Sequence, residues 1–245
     1  VTTGIVVALP EELSTLTSKK MDKGCCVFIS ATTLLAYSGA GADNARTASE
    51  LLIAQGATRL ISWGCAAALS ETLKPGDLVL ADSLTDAEGG RDTKFCVSSD
   101  WHRYAKNLLS NSLIVHTGSL VESKNIVASG KDKKRLHIQT GAVALDMESI
   151  AIAKVARRNK LPFLAIRAIA DPVNMDLPKA INHSLNNEGD IDLAKLLSYI
   201  VLRPAQLPGL IKLGLHFHAA KNTLNLVAKQ LDHVSAPPEA LFSVP

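Results

Sequence analysis

Gly4-Ile5-Val6-Val7-Ala8-Leu9, closed by Pro10-Glu11-Glu12-Leu13, decides the fold. The first run is apolar from end to end and short, the signature of a strand buried on both faces, and proline suits the first turn of the helix that follows. The same alternation recurs along the chain. Strand candidates at 4–9, 34–37, 58–63, 77–82, 113–121, 142–146 and 163–169 are separated by helical segments, among them one ending at about Gln55 before the Gly56 stop and another over 148–159. The expected fold is α/β: a three-layer sandwich whose mixed, largely parallel central sheet is covered on both faces, with a C-terminal helical extension. Residues 1–171 are read as the core, 172–233 as a helical extension of the same domain, and 234–245 as a Pro-rich tail.

In such sheets ligands gather beyond the carboxyl ends of the strands, where Glu12, Cys65, Glu148 and Asp171 fall. Two stretches stand out there. Ala144-Leu145-Asp146-Met147-Glu148-Ser149 and Ala165-Ile166-Arg167-Ala168-Ile169-Ala170-Asp171 each carry an apolar run into a carboxylate. Two acids in one pocket suit cleavage of a glycosidic bond, because one can protonate the leaving group while the other steadies sugar hydroxyls or water. Singly, an acid that ends a strand is more often a helix cap or a solvated loop residue. Met147 is open to a core reading too, since it precedes a helix whose Ile150, Ala151 and Val155 share a face with it.

With 47% hydrophobic residues, 245 residues can bury one substantial core. The net charge of +3 is small and aromatics make up only 4%, which argues against a nucleic-acid surface. Lys131-Asp132-Lys133-Lys134-Arg135 is a local charge run read as solvated. Cys25 and Cys26 are read as filling a strand, and the four cysteines show neither metal spacing nor a disulfide framework, so a reduced compartment is expected. His216 and His218 diverge on a helix and are not read as metal ligands. No signal peptide or apolar run of about 18 residues is visible, which gives the expectation of a cytoplasmic protein. Gly39-x-Gly41 lacks the third glycine of a dinucleotide site, because Asn44 stands there.

Taken in order, the Glu12 turn, Ser38-Gly39-x-Gly41, Gly64-Cys65-Ala66, Gly76-Asp77, Asp146-Met147-Glu148 and Arg167-Ala168-Ile169-Ala170-Asp171 resemble the purine and uridine phosphorylase superfamily. The likeness is strongest to its methylthioadenosine/S-adenosylhomocysteine nucleosidase branch. Leu207-Pro208-Gly209-Leu210-Ile211-Lys212-Leu213-Gly214-Leu215-His216-Phe217 resembles the hopanoid-associated phosphorylases, a subgroup linked to removing adenine from adenosylhopane.

The resemblance implies a purine nucleosidase or nucleoside phosphorylase. Asp171 would protonate or hydrogen-bond purine N7, and Glu12 would activate water. Glu148 would accept from ribose hydroxyls with Met147 against the sugar, while Gly64 and Cys65, where the family usually carries Ser, would lie near the nucleophile. Ile126 and Val127 would border the base, although Val121-Glu122-Ser123-Lys124-Asn125 departs from the family's Ser-Gly-Asp pattern there. No metal or cofactor is implied, and phosphate is left open as co-substrate. Ser62 replaces the family's phosphate-binding Arg and Glu12 would repel phosphate, so the residues favour hydrolysis. Arg46, Arg91 or an Arg of the partner subunit could restore a phosphate site.

The implied substrate is a purine nucleoside, adenosylhopane being preferred and methylthioadenosine or S-adenosylhomocysteine the alternative, cleaved by a homo-oligomer with a dimer favoured. Apolar residues at helical spacing in 191–201 and 207–231, interspersed with Lys212, Lys221 and Lys229, allow two readings. They cap the sheet, or a face within 205–231 contacts a lipid tail or the inner membrane surface. A non-catalytic lipid-binding protein is the alternative of another class.

Overall fold

The computed structural model describes residues 1–86, 94–184 and 193–238. Its first strand, β1 (Thr3–Val7), is followed by α1 (Pro10–Leu13), β2 (Cys25–Ser30), β3 (Thr33–Tyr37), α2 (Ala42–Ala54), β4 (Arg59–Ala68) and β5 (Leu78–Asp86). Then come β6 (Lys94–Cys96), α3 (Ser99–Leu109), β7 (Val115–Glu122), α4 (Gly130–Thr140), β8 (Ala144–Asp146), α5 (Ser149–Arg158) and β9 (Phe163–Asp171). The C-terminal part is helical: α6 (Lys179–Ser184), α7 (Leu193–Leu202), α8 (Leu207–Ala228) and α9 (Leu231–Ser235).

The sheet is mixed, in keeping with the apolar runs. Strand β1 lies parallel to β3 and β4, and β4 parallel to β9, whereas β2 is antiparallel to β3 and β9 antiparallel to β5. Alternate residues of β1 explain the three layers. Val6 joins a core cluster with Ala45, Ala48 and Leu52 of α2 and Ile150 and Val155 of α5. Ile5 and Val7 point the other way, into a cluster with Trp101 and Leu109 of α3 and Leu224 and Val227 of α8. Cys25 and Cys26 open a strand, as expected, and Ile191 and the final residues of the Pro-rich tail lie outside the described residues.

Two features go beyond the sequence reading. Strand β4 continues past Trp63 to Ala68, pairing with β9 along most of its length and with β8 at its end. The pairings β4–β9, β9–β5, β5–β7, β7–β8 and β8–β4 therefore close into a ring of strands. Ala67 of β4 has Asp171 as its partner on one side and Leu145 on the other. Two inter-strand spacings, about 10 Å, thus separate the backbone of Asp171 from the strand leading into Asp146-Met147-Glu148.

Helix α8 divides into two parts. Ala220, Leu224 and Val227 are fully buried in the core, whereas Leu207, Ile211 and Leu215 are exposed, Leu215 by 65%. The chain beyond α8 returns to the start of the molecule: Trp101 Nε1 donates to Val234 O (2.8 Å), and the Thr3 hydroxyl donates to Ser235 O. Among the described residues no helix is long and apolar enough to cross a membrane.

Candidate active site

The β1–α1 turn fixes Glu12 by folding it back over its own strand. Its Oε2 accepts the backbone N–H groups of Ala8 and Leu9, both at 3.0 Å, and its Oε1 accepts that of Cys65 at 2.8 Å. Oε1 keeps a second lone pair for a ligand or water. The carboxylate lies so close to β4 that a Cβ on Gly64 would run into Glu12 Oε1, and would stand 2.6 Å from Glu12 Cδ and 2.7 Å from Arg167 Nη1. Glycine at position 64 leaves the room that these two side chains occupy. Burial raises the Glu12 carboxyl above its ordinary value, against the opposing pull of Arg167 and the three N–H groups. Burial first, and then the Glu12 charge, push the Cys65 thiol well above its usual range, so it stays a neutral wall of the cleft.

Arg167 is the hub that the sequence reading leaves unassigned. It rises from the middle of β9, only 2% exposed, and its Nε and Nη2 both reach Asp146 Oδ2 at 2.7 Å. Nη2 also donates to the hydroxyls of Ser62 (2.6 Å) and Ser149 (3.0 Å), and the Ser149 hydroxyl donates to Asp146 with the Ser62 hydroxyl 3.0 Å away. Ser62 therefore belongs to a buried network beneath the cleft. Burial tends to lower the Arg167 pKa, but Asp146, Glu148 and Glu12 outweigh it and hold the guanidinium protonated.

Glu148 sits at the β8–α5 junction, directly above this hub. Its Oε1 accepts the N–H of Gly41 (3.0 Å), and Arg167 Nη2 lies 4.0 Å from its Oε2. Gly41 takes φ +97°, in the region that favours glycine, so the Ser38-Gly39-x-Gly41 turn serves to aim one N–H at Glu148. Burial, reinforced by the negative charge of Asp146, raises the Glu148 carboxyl to about 7. Met147 is only partly buried, whereas Ile150, Ala151 and Val155 of the following helix are buried in a core cluster.

Asp171 ends β9, and its neighbour corrects the reading of the charged run. The run reads as solvated, yet the Lys133 side chain is 0% exposed and its Nζ lies 2.7 Å from Asp171 Oδ2. The rest of the run, Lys131, Lys134 and Arg135, does face outward. Asp171 Oδ1 is buried without a protein partner. Burial raises the Asp171 carboxyl, the Lys133 charge and hydrogen bond oppose this, and Asp176 adds to it. The segment carrying Ile126 and Val127 leads into α4 and runs beside the chain that leaves Asp171, with Leu177 N–H donating to Ala128 O (2.8 Å). Ile126 is exposed, whereas Val127 packs partly against Leu69, Val121 and Leu145.

Glu122 is a further acid that the sequence reading misses. It accepts the N–H of Ala151 (3.0 Å) at the start of α5, and burial followed by Asp146 raises it to about 7. Of the cations considered for phosphate, Arg46 is exposed and paired with Asp43 (3.1 Å), and Arg91 lies outside the described residues. The cleft thus gathers Glu12, Glu148 and Asp146 around one guanidinium, with Asp171 across β4 on its own lysine. This charge pattern suits a cationic sugar and a base that gains a proton, and it disfavours an incoming phosphate.

Comparisons with known proteins bear on the family and the fold. The family model described as the phosphorylase superfamily matches residues 2–203. The 5′-methylthioadenosine/S-adenosylhomocysteine nucleosidase of Staphylococcus saprophyticus is 28% identical over 161 residues, covering 58% of this chain and 70% of the relative. The Thermotoga maritima protein of the same name is 29% identical over 104 residues, and the match covers 41% of this chain and 48% of the relative, about half its length. Two solved Helicobacter pylori structures share the fold. A 5′-methylthioadenosine/S-adenosylhomocysteine nucleosidase gives a TM-score of 0.70 at 18% identity, covering 95% of this chain and 97% of that one. A futalosine hydrolase gives 0.69 at 17%, covering 95% and 96%. The chain belongs to the phosphorylase superfamily.

Proposed function

We propose that this superfamily member hydrolyses the N-ribosyl bond of a purine nucleoside and releases adenine. The observation that carries the reading is the placing of Glu12, Glu148 and Asp171 at one end of the sheet, with Glu12 and Glu148 sharing Arg167 and Asp171 left with one unpartnered oxygen. In this mechanism Asp171 gives a proton to N7 as the C1′–N9 bond breaks, and Glu148 accepts from the ribose hydroxyls more strongly as the sugar becomes oxocarbenium-like. Glu12 takes a proton from the water that adds to C1′. Met147 and Cys65 line the sugar side, and Ile126 and Val127 the base side. The relatives named nucleosidases and hydrolases support water as the acceptor, as does the burial of Ser62 under Arg167. The test is to incubate the enzyme with adenosine in the presence and absence of phosphate and to weigh the sugar product. Free ribose formed without phosphate is expected, and strict phosphate dependence would overturn the reading.

A finer reading concerns the 5′ substituent. An apolar tail such as that of adenosylhopane, with contact at a membrane surface, is favoured over a short alkylthio group by the exposed row Leu207, Ile211 and Leu215. This row begins where α8 meets the chain downstream of Asp171: Lys179 N–H donates to Gln206 Oε1 (3.0 Å). Deleting residues 205–245 would strip buried Ala220, Leu224 and Val227 from the core, so the test is substitution of the exposed row by Ser. Activity on adenosylhopane and liposome binding should fall while activity on methylthioadenosine is kept; equal effects on both substrates would favour the methylthioadenosine/S-adenosylhomocysteine assignment. We further propose a cytoplasmic homodimer, by likeness to the nucleosidase branch, for which a monomer in equilibrium sedimentation would be the contrary result.

A further inference from the structure

We propose that Lys133 is the positioning residue of the Asp171 acid: it holds Oδ2, leaves Oδ1 as the oxygen that meets the leaving purine, and stabilises the carboxylate left after proton delivery. The inference rests on the nucleoside-cleavage reading above and adds a residue to it. Lys133 uses its three ammonium donors on Asp171 Oδ2 (2.7 Å), Met175 O (2.8 Å) and Pro172 O (3.2 Å), so its direction is fixed from three sides. Helix α4 is drawn tight against the segment after β9. A Cβ on Gly130, one turn before Lys133, would stand 2.7 Å from Val173 O, and Gly130 N–H donates to Asp176 Oδ1 at 2.7 Å.

The chemistry gives the lysine its task. As C1′–N9 breaks, the bonding pair passes into the purine, and the proton on Asp171 Oδ1 moves to N7. Water oxygen bonds C1′ and its proton passes to Glu12; exchange with solvent then reprotonates Asp171 and deprotonates Glu12. Lys133 keeps all its protons. An unpaired carboxylate formed at this buried position would be costly, and Lys133 is in place to meet it without rearrangement. The other charged group facing Asp171 is Asp176, which works against ionisation, while β4 offers only Ala67 opposite.

Adenosine cleavage by the wild type, Lys133→Met, Lys133→Arg, Asp171→Asn and the double variant Lys133→Met/Asp171→Asn tests this, with melting curves recorded for each. Lys133→Met should lower kcat about 10-fold or more with KM within about twofold. Its high-pH limb should move up by about one unit or more, because Asp171 without its counter-charge keeps its proton longer. Lys133→Arg should restore part of the loss. In the Asp171→Asn background, Lys133→Met should cost no further activity, since the lysine acts through Asp171. An unshifted pH limb, or an equal loss in both backgrounds, assigns Lys133 to the fold alone and overturns the proposal. If Lys133→Met does not fold, the pH limb of the polar, uncharged Lys133→Gln decides the same question. A wild type that releases no base from any nucleoside refutes the parent reading and this one with it; base release with an indifferent Lys133 refutes this one only.

Discussion

Arg167 and Lys133 are both buried cations, and they keep different company. Arg167 stands among three carboxylates, Asp146, Glu148 and Glu12, whereas Lys133 stands beside one, Asp171. At Arg167 one guanidinium cannot neutralise its neighbours, so burial and carboxylate crowding act together and bring Glu148 to about 7. At Lys133 the pairing is one to one and opposes burial, so Asp171 is raised against a local counter-charge. The first arrangement builds a negative wall for a sugar that becomes cationic. The second provides an acid whose conjugate base is already matched.

The sharpest way to break this contrast is Arg167→Met. It leaves Asp146 buried without its partner, and the loss should be about 3–5 kcal/mol in a urea unfolding curve. A stability loss near zero would mean that the network does not hold the cleft together. Asp171→Asn should show the opposite balance. Stability should fall less, because the Met175 and Pro172 carbonyls still accept from the buried Lys133 ammonium that loses its counter-charge, while kcat falls about 10²-fold, about 2.7 kcal/mol in barrier, because Asn keeps the shape without the proton. Near-normal turnover would remove Asp171 from the acid's role.

Glu148→Gln is the mildest of the three and sharpens the comparison through pH. In the wild type kcat/KM should rise as pH passes through about 7, when Glu148 ionises and accepts ribose hydroxyls. The variant should lose that rise, fall about 10-fold above it, and discriminate poorly between ribosyl and 2′-deoxyribosyl substrates. Folding stability runs the other way. The folded carboxyl titrates near 7 against an ordinary 4.5, so the folded state binds its proton more tightly and loses this advantage as pH climbs between those values. A flat pH profile in the wild type would place the titrating group elsewhere.

The acids of the cleft are legible because each ends a run of apolar residues, a pattern visible in one dimension. Arg167 is equally visible as the one charge within Ala165-Ile166-Arg167-Ala168, but its partner Asp146 is 21 positions away. Only the pairing of both strands with β4 brings the two together. Lys133 is hidden by its neighbours. A run of five charged residues reads as solvent-facing, and the clue is helical: Gly130, Lys133 and His137 fall on one face of α4, with exposed Lys131 and Arg135 turned away from it. Each strand candidate from 4 to 169 meets a strand, while the three residues of β6 are too short a run to show a pattern. Strand β4 runs on to Ala68 because small residues suit a strand crossed by Glu12 and Arg167. The closure of the strands into a ring depends on pairings between distant segments, which local apolar patterns do not encode.

The hydroxyl of Thr3 bound to the carbonyl of Ser235 joins residues 232 positions apart, and it sets an order of assembly as well as a place. During synthesis the strand carrying Gly4 to Val7 leaves the ribosome well ahead of α8, the helix that helps to cover one of its faces. Ile5 and Val7 share a core cluster with Leu224, Val227 and Val234 as well as Trp101 and Leu109, so that face is only partly covered until α8 and α9 arrive. Native closure is therefore a late, long-range event, and the newborn chain is at its most aggregation-prone just before it.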